Sequence, residues 1–117
     1  MTFQPNSRLS QEEVTQRVDE AIETNEVVLF MKGNQLMPQC GFSRRALELL
    51  SHHRDDVAVV DVLESLDEYR VALNERSGWE TIPQAFVDGE FVGGSDVLAE
   101  LENRGELEAT LQTEGSA

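Results

Sequence analysis

At 117 residues, with 39% apolar residues and no unbroken apolar stretch near the length of a membrane span, the chain has room for one compact soluble domain and not two. Its 23 acidic residues against 9 basic ones leave a formal charge of −14, which argues against nucleic acid or an anionic membrane as the main partner, because phosphate backbones would be repelled. Cys40 is the single cysteine, so an intramolecular disulfide is excluded; with only His52 and His53 beside it, no ligand set for a zinc site is expected within one chain, and a metal bound through Cys40 must borrow ligands from elsewhere.

The acids are dispersed from Glu12 to Glu114, and the basic residues are eight arginines and one lysine, Lys32. A dispersed acidic surface almost without lysine is expected of a protein from a high-salt cytoplasm, where carboxylates hold water and ions and salt screens their repulsion. Met1 to Ser10 contains no apolar segment of a secretory signal, so a cytoplasmic, reducing compartment is expected.

Ser10-Gln11-Glu12-Glu13 has the Ser-x-x-Glu pattern of a capping box, and Val14, Val18, Ala21 and Ile22 follow at helical spacing. These predict a helix from about Gln11 to Thr24. Val27 to Met31 is a short continuous apolar run, which predicts a central strand buried on both faces. Lys32 to Gln39, with Gly33, Asn34 and Pro38, reads as a loop that delivers the chain to Cys40. Phe42, Ala46, Leu47, Leu49 and Leu50 then mark a helix that fades near His53, so Cys40 lies at its mouth. Val57 to Val62 predicts a second buried strand and Leu66 to Arg76 a second crossover helix; strands joined in this way are parallel.

The second half changes character. Ala85-Phe86-Val87, Asp88-Gly89 and Glu90-Phe91-Val92 spell strand, two-residue turn, strand. Gly93-Gly94 precedes a helix carrying Val97, Leu98 and Leu101, with Ser95 or Asp96 as its expected cap. A short helix is expected between Glu106 and Leu111. One domain over residues 1–117 is expected, with a core of about 11–111 and flexible ends at 1–9 and 112–117.

A thiolate is the reactive and metal-binding form of cysteine, and a helix N-terminus favours it through partial positive charge and free amides. Gly41 then allows close backbone approach, and Ser43 serves as a cap or weak donor where a second thiol would otherwise complete a dithiol pair. By composition alone a lone cysteine is a small hydrophobe; its place after a central strand and before a helix, where α/β sheets bind ligands, points to function.

From about Val14 to Leu101 the chain resembles a known family. Lys32-Gly33, the loop ending in Pro38, Cys40-Gly41-Phe42-Ser43, Trp79, Thr81-Ile82-Pro83-Gln84, Phe91-Val92-Gly93-Gly94 and Asp96 look like the monothiol glutaredoxins of the CGFS type. The resemblance implies a thioredoxin-like α/β fold, a mixed four-stranded sheet of two parallel strands plus an antiparallel hairpin with helices on both faces. It makes Cys40 the nucleophile or cluster ligand and Lys32 a cationic partner for a bound thiol tripeptide. It implies a cis Ile82-Pro83 bond that would turn the Thr81-Ile82 backbone towards Cys40. Gly94, Ser95 and Asp96 would hold the γ-glutamyl end of glutathione through free amides and a carboxylate. Arg76 is a candidate for the ligand's other carboxylate, a solvated helix-end arginine being the alternative, while Phe42 and Trp79 are expected to pack and to shape the rim. Two features depart from the pattern. Trp79-Glu80 stands where the family commonly has Trp-Pro, and a high-salt archaeal source would supply γ-glutamylcysteine in place of glutathione.

The resemblance implies a carrier of a two-iron, two-sulfur cluster. Such a cluster needs four soft ligands; two chains and two small thiols supply them, which gives a cluster-bridged homodimer serving recipient apoproteins. The competing reading is an oxidoreductase that removes glutathione from protein mixed disulfides, with a second glutathione resolving the adduct. A thioredoxin-fold adaptor with an inert Cys40 is the third.

Overall fold

The computed structural model describes residues 9–112. Helix α1 spans Gln11–Thr24 and begins with the expected capping box: Ser10 Oγ accepts from the Glu13 amide and the Glu13 carboxylate accepts from the Ser10 amide. Strand β1 (Val27–Met31) is buried along its whole length. Helix α2 (Gly41–His53) follows with Cys40 at its N-cap, then β2 (Ala58–Asp61), a single 3-10 turn over Leu63–Ser65 and α3 (Leu66–Ser77). Strands β3 (Gln84–Val87) and β4 (Glu90–Gly93) flank a turn in which Asp88 and Gly89 have φ of 52° and 82°. Positive φ at both central residues is the twist-matched hairpin turn that Asp-Gly favours. Helices α4 (Ser95–Asn103) and α5 (Leu107–Thr110) complete the described chain.

The strands lie in the order β2-β1-β3-β4, with β1 and β2 parallel and the other two pairings antiparallel. Because side chains alternate across a strand, β1 serves two cores at once. Val27, Leu29 and Met31 pack with α2, α4 and α5, while Val28 and Phe30 pack with α1 and α3. Phe30 stands edge-on to Phe86 at 5.7 Å between ring centroids. The result is a mixed sheet covered on both faces.

Two expectations about the elements are corrected. Strand β2 is an edge strand whose Ala58, Val59 and Val60 are only partly buried, because nothing among the described residues pairs with its outer side; the buried valines are Val57 and Val62 just beyond its ends. The cap of α4 is Gly94, and neither Ser95 nor Asp96 takes that role. A Cβ at Gly94 would lie 2.9 Å from the Pro83 carbonyl oxygen, so the cap position is where helix and loop meet most closely. The Leu9 amide donates to Ser65 Oγ at 2.9 Å and its side chain packs on the α1–α3 core. The other residues expected to be flexible, 1–8 and 113–117, lie outside the described residues, and Gln112 is held by a bond from its amide to the Ala109 carbonyl.

Arg54, just past α2, ties three parts of the chain together. It pairs with both carboxylate oxygens of Asp56 at 2.7 and 2.6 Å, with Glu26 Oε1 at 2.7 Å and with the Leu111 carbonyl at 2.7 Å. Replacing Arg54 by Met keeps the aliphatic stem and removes these bonds, at an expected cost of about 1–2 kcal/mol in denaturant unfolding at neutral pH. The Arg54 hydrogen bonds hold the Asp56 carboxyl below its ordinary value. A depressed folded-state pKa stabilises the protein above the ordinary aspartate range and loses that contribution as pH falls through the folded value, so the Arg54→Met penalty shrinks in acid.

Candidate functional site

The site is assembled at the point where β1 ends. Lys32 leaves the strand, and its amide donates to Ser43 Oγ at 3.0 Å. Ser43 is fully buried, so its hydroxyl fastens the start of α2 to the end of β1. Of the two roles expected of Ser43, cap or weak donor, the N-cap position falls to Cys40, and the Ser43 hydroxyl serves as a donor to the Cys40 thiolate. The intervening loop is internally bonded: Gln39 N donates to Lys32 O at 3.0 Å, and Asn34 Oδ1 accepts from the amides of Leu36 and Met37, both at 2.9 Å. Asp61, at the end of β2, accepts from the Gly33 amide at 3.1 Å and the Leu63 amide at 3.0 Å. The loop that carries the chain to Cys40 is therefore anchored where it leaves β1 by two side chains, Ser43 and Asp61, and closed at Gln39 by a backbone bond.

Cys40 has extended backbone, φ −149° and ψ 135°, as an N-cap residue should. It is free and partly exposed. The neutral thiol makes no capping hydrogen bond, but the structure favours its thiolate. The Ser43 amide is the largest influence lowering the thiol's pKa below its ordinary value; partial burial opposes it, and the Phe42 amide, the Lys32 charge and the Ser43 hydroxyl add to the lowering. Lys32 thus acts on the sulfur electrostatically, as its position at the strand end allows. Gly41 has open space where a Cβ would be, with no atom within 4 Å, so no packing within the chain requires glycine there.

Phe42, two residues past Cys40, opens onto a cleft of about 540 Å³ between the turn ending in Pro83 and the start of α4; Lys32, Cys40 and Gly41 are not among the residues that line it. Thr81, Ile82 and Pro83 line one wall and Gly94, Ser95 and Asp96 the other, with Phe42 and Trp79 at the rim. The Ile82-Pro83 bond is cis. Phe42 and Trp79 are 63% and 59% exposed, so they shape the cleft more than they pack. Ser95 is buried and Asp96 exposed, and no side chain caps the start of α4, which lines the cleft.

Sequence reasoning missed what holds the Thr81 side in place. Gln84 is fully buried, and its Nε2 donates to the carbonyls of Trp79 at 2.8 Å and Thr81 at 3.0 Å. Its signals are its place in the Thr81-Ile82-Pro83-Gln84 run and a polar side chain at the start of an otherwise apolar strand. Glu80 points away towards α3, where it accepts from Asn74 Nδ2 at 3.5 Å. Arg76 is not part of the cleft: it pairs with Asp19 at 3.1 Å and Glu23 at 3.7 Å on α1. It bridges α1 and α3 because α3 ends beside the acidic face of α1, a proximity that the short-range spacing to Trp79 does not reveal.

A cysteine at a helix mouth and a cleft between a cis-proline turn and a helix start, on a four-stranded mixed sheet with helices on both faces, define a thioredoxin-fold thiol protein. The glutaredoxin family model matches residues 27–92, and the chain belongs to that family. It is 44% identical over 96 residues to an uncharacterized monothiol glutaredoxin, ycf64, of Porphyra purpurea, covering 82% of this chain and 89% of that one. It is 42% identical over 108 residues to the mitochondrial monothiol glutaredoxin-5 of Schizosaccharomyces pombe, covering 90% of this chain and 73% of that one. Among solved structures, reduced poplar apo GrxS14 superposes with a TM-score of 0.72 at 38% identity, covering 84% of this chain and 89% of that one. No helix among the described residues is long and apolar enough to cross a membrane.

Proposed function

We propose that this protein is a glutaredoxin of the CGFS monothiol type that carries and transfers a two-iron, two-sulfur cluster, held between two copies of the chain by Cys40 of each and by two molecules of a low-molecular-weight thiol. The observation that carries the reading is a lone thiol with a lowered pKa at a helix mouth, with buried Ser43, not cysteine, three positions on. A thiolate is a soft iron ligand, and one chain supplies only one of the four that the cluster needs. The cleft supports a thiol ligand with a carboxylate at its γ-glutamyl end: the α4 amides accommodate the anion and Asp96 accepts from an ammonium. Glutathione or γ-glutamylcysteine both present that end. Lys32 would meet the glycine carboxylate only of the former, and the acidic, lysine-poor composition of a high-salt cytoplasm favours the latter. Recipient apoproteins are the partners of this reading.

Anaerobic incubation of the protein with ferrous iron, sulfide and each thiol is expected to give a coloured dimer, read by visible absorption and size-exclusion chromatography. A colourless monomer with both thiols overturns the reading. The lowered thiol pKa also favours a second activity, reduction of protein-glutathione mixed disulfides, in which the Cys40 thiolate attacks the glutathione sulfur to form a Cys40–glutathione disulfide, the protein leaves as a thiol, and a second glutathione attacks that disulfide to give glutathione disulfide and the free Cys40 thiolate. Turnover of a glutathionylated peptide at the rate of a dithiol glutaredoxin would make that activity primary.

A further inference from the structure

At the other end of α2 from Cys40, the fold builds a cluster that the thiol site does not use. His52 and His53 close the helix, and Glu102 of α4 comes against them although it lies 49 residues further along the chain. His53 Nε2 and Glu102 Oε1 are 2.8 Å apart. The two imidazole rings stand edge to face with centroids 4.8 Å apart, and one donor atom from each of the three residues lies within 4.8 Å of the others. From these positions we infer a binding site for a divalent transition-metal ion, with Zn²⁺ the best match, that ties the C-terminal ends of α2 and α4 together.

The chemistry of the donors decides the class of ion. Two imidazole nitrogens and one carboxylate oxygen suit zinc and its transition-metal neighbours, whereas calcium and magnesium select oxygen. Zinc bonds of about 2.0–2.2 Å at tetrahedral angles place neighbouring donors roughly 3.4 Å apart. The His53–Glu102 pair must therefore open by about 0.6 Å from its present 2.8 Å, and the widest separation must close by somewhat more than 1 Å. Side-chain rotation supplies such movements, because His52 is exposed and His53 and Glu102 only partly buried. The helices themselves need not shift. Three protein ligands leave a fourth position for water.

The surroundings favour a cation. The last carbonyls of α2 place partial negative charge at this end of the helix, and the chain as a whole carries −14. Both histidines line an open depression of about 640 Å³ with Asp55, Asp56 and Glu108 on its wall, so a hydrated ion reaches them directly from solvent. Arg54, the nearby cation, is already paired with Asp56 and Glu26.

The location gives the site a consequence. Helix α2, 13 residues long, separates the cluster from Cys40 by about 18 Å, so the ion does not share the thiol's ligands. Yet α2 and α4 are the helices whose N-termini carry Cys40 and Ser95-Asp96. A metal tie at their C-terminal ends fixes the pair of elements that frames the cleft. The inference does not depend on the cluster-carrying reading.

Titration of the full-length protein with Zn²⁺ by calorimetry, and with Co²⁺ by visible absorption, tests it. One ion per chain is expected, with the Co²⁺ complex showing ligand-field bands but not the intense near-ultraviolet charge-transfer band of a thiolate. His52→Ala removes an exposed ligand, and Glu102→Gln keeps a hydrogen-bonding group opposite His53 while removing the charge. Each is expected to weaken Zn²⁺ binding by roughly tenfold or more and to abolish the rise in thermal unfolding midpoint that Zn²⁺ gives the parent. Cys40→Ser is expected to bind Zn²⁺ at this site as the parent does. Absence of stoichiometric binding, binding that survives both substitutions, or binding lost in Cys40→Ser overturns the proposal.

Discussion

Replacing Cys40 by Ser is expected to abolish cluster assembly and thiol exchange while leaving the fold as stable as the parent or more so. The two effects have opposite signs because Cys40 occupies two roles. As an N-cap it performs poorly: its backbone is in the extended cap conformation, but the thiol makes no capping bond. A serine hydroxyl is a strong cap acceptor where sulfur is a weak one, so Cys40→Ser is expected to gain up to about 1 kcal/mol in helix stability. As a ligand, serine offers a hard oxygen that stays protonated at neutral pH, and soft iron centres lose their only protein donor in each chain. Reconstitution with iron, sulfide and glutathione should yield no coloured species, while denaturant unfolding shows an equal or higher midpoint. A coloured dimer from Cys40→Ser would show that Cys40 is not the ligand.

The same placement fixes the pH dependence of the native thiol. The Ser43 amide first, then the Phe42 amide and Lys32, hold its pKa below the ordinary cysteine value against the opposing effect of partial burial. The rate of iodoacetamide alkylation should therefore rise with pH through a midpoint lower than that of an unstructured cysteine peptide. A depressed folded-state pKa also means that ionisation of Cys40 stabilises the fold above the ordinary thiol range, and that this contribution disappears as pH falls through the folded value. An inert adaptor thiol would titrate at or above the peptide's midpoint.

What could be read in the sequence follows from how local its cause is. The capping box at Ser10, the apolar period of α1, the unbroken run of β1 and the Asp-Gly hairpin each depend on residues within one or two turns of chain, and each element stands where its residues place it. The limits of local reading show at contacts between distant segments. Val57 to Val62 is apolar enough for a central strand, but only the sheet order makes it an edge. Arg76 is close in sequence to Trp79, but α1 claims it through Asp19 and Glu23. Gln84 and Asp61 brace the two loops of the site through bonds to backbone groups, and such bonds leave no pattern in residue type. The cleft walls around Thr81 to Pro83 and Gly94 to Asp96 were legible only because the chain resembles a family; spacing alone also fits a plain hairpin-to-helix turn.

Gly94 is the position where that ambiguity can be resolved by experiment, since a hairpin turn and a ligand cleft make different demands on it. A methyl group there would sit 2.9 Å from the Pro83 carbonyl oxygen, and with backbone on both sides no flexible side chain can swing away. Relief requires the start of α4 and the Pro83 turn to separate by a few tenths of an ångström. Those two segments are the opposing walls of the cleft. Gly94→Ala is therefore expected to cost about 1–3 kcal/mol of stability, the usual range for overpacking at a tight contact. A ligand that spans both walls requires its amide and main-chain partners at fixed separation, and misplacement by a fraction of an ångström is expected to weaken thiol binding by roughly tenfold to a hundredfold. Gly41→Ala provides the contrast, because nothing lies within 4 Å of the added atom. At the first position of α2 it is expected to be neutral or to stabilise by up to about 1 kcal/mol. Calorimetric titration with glutathione and γ-glutamylcysteine, alongside denaturant unfolding, separates the outcomes. If Gly94→Ala binds both thiols as tightly as the parent while losing stability, the close approach of Gly94 to Pro83 serves packing alone and the thiol lies elsewhere. If affinity falls while the protein stays folded, the spacing of the two walls is what the ligand reads.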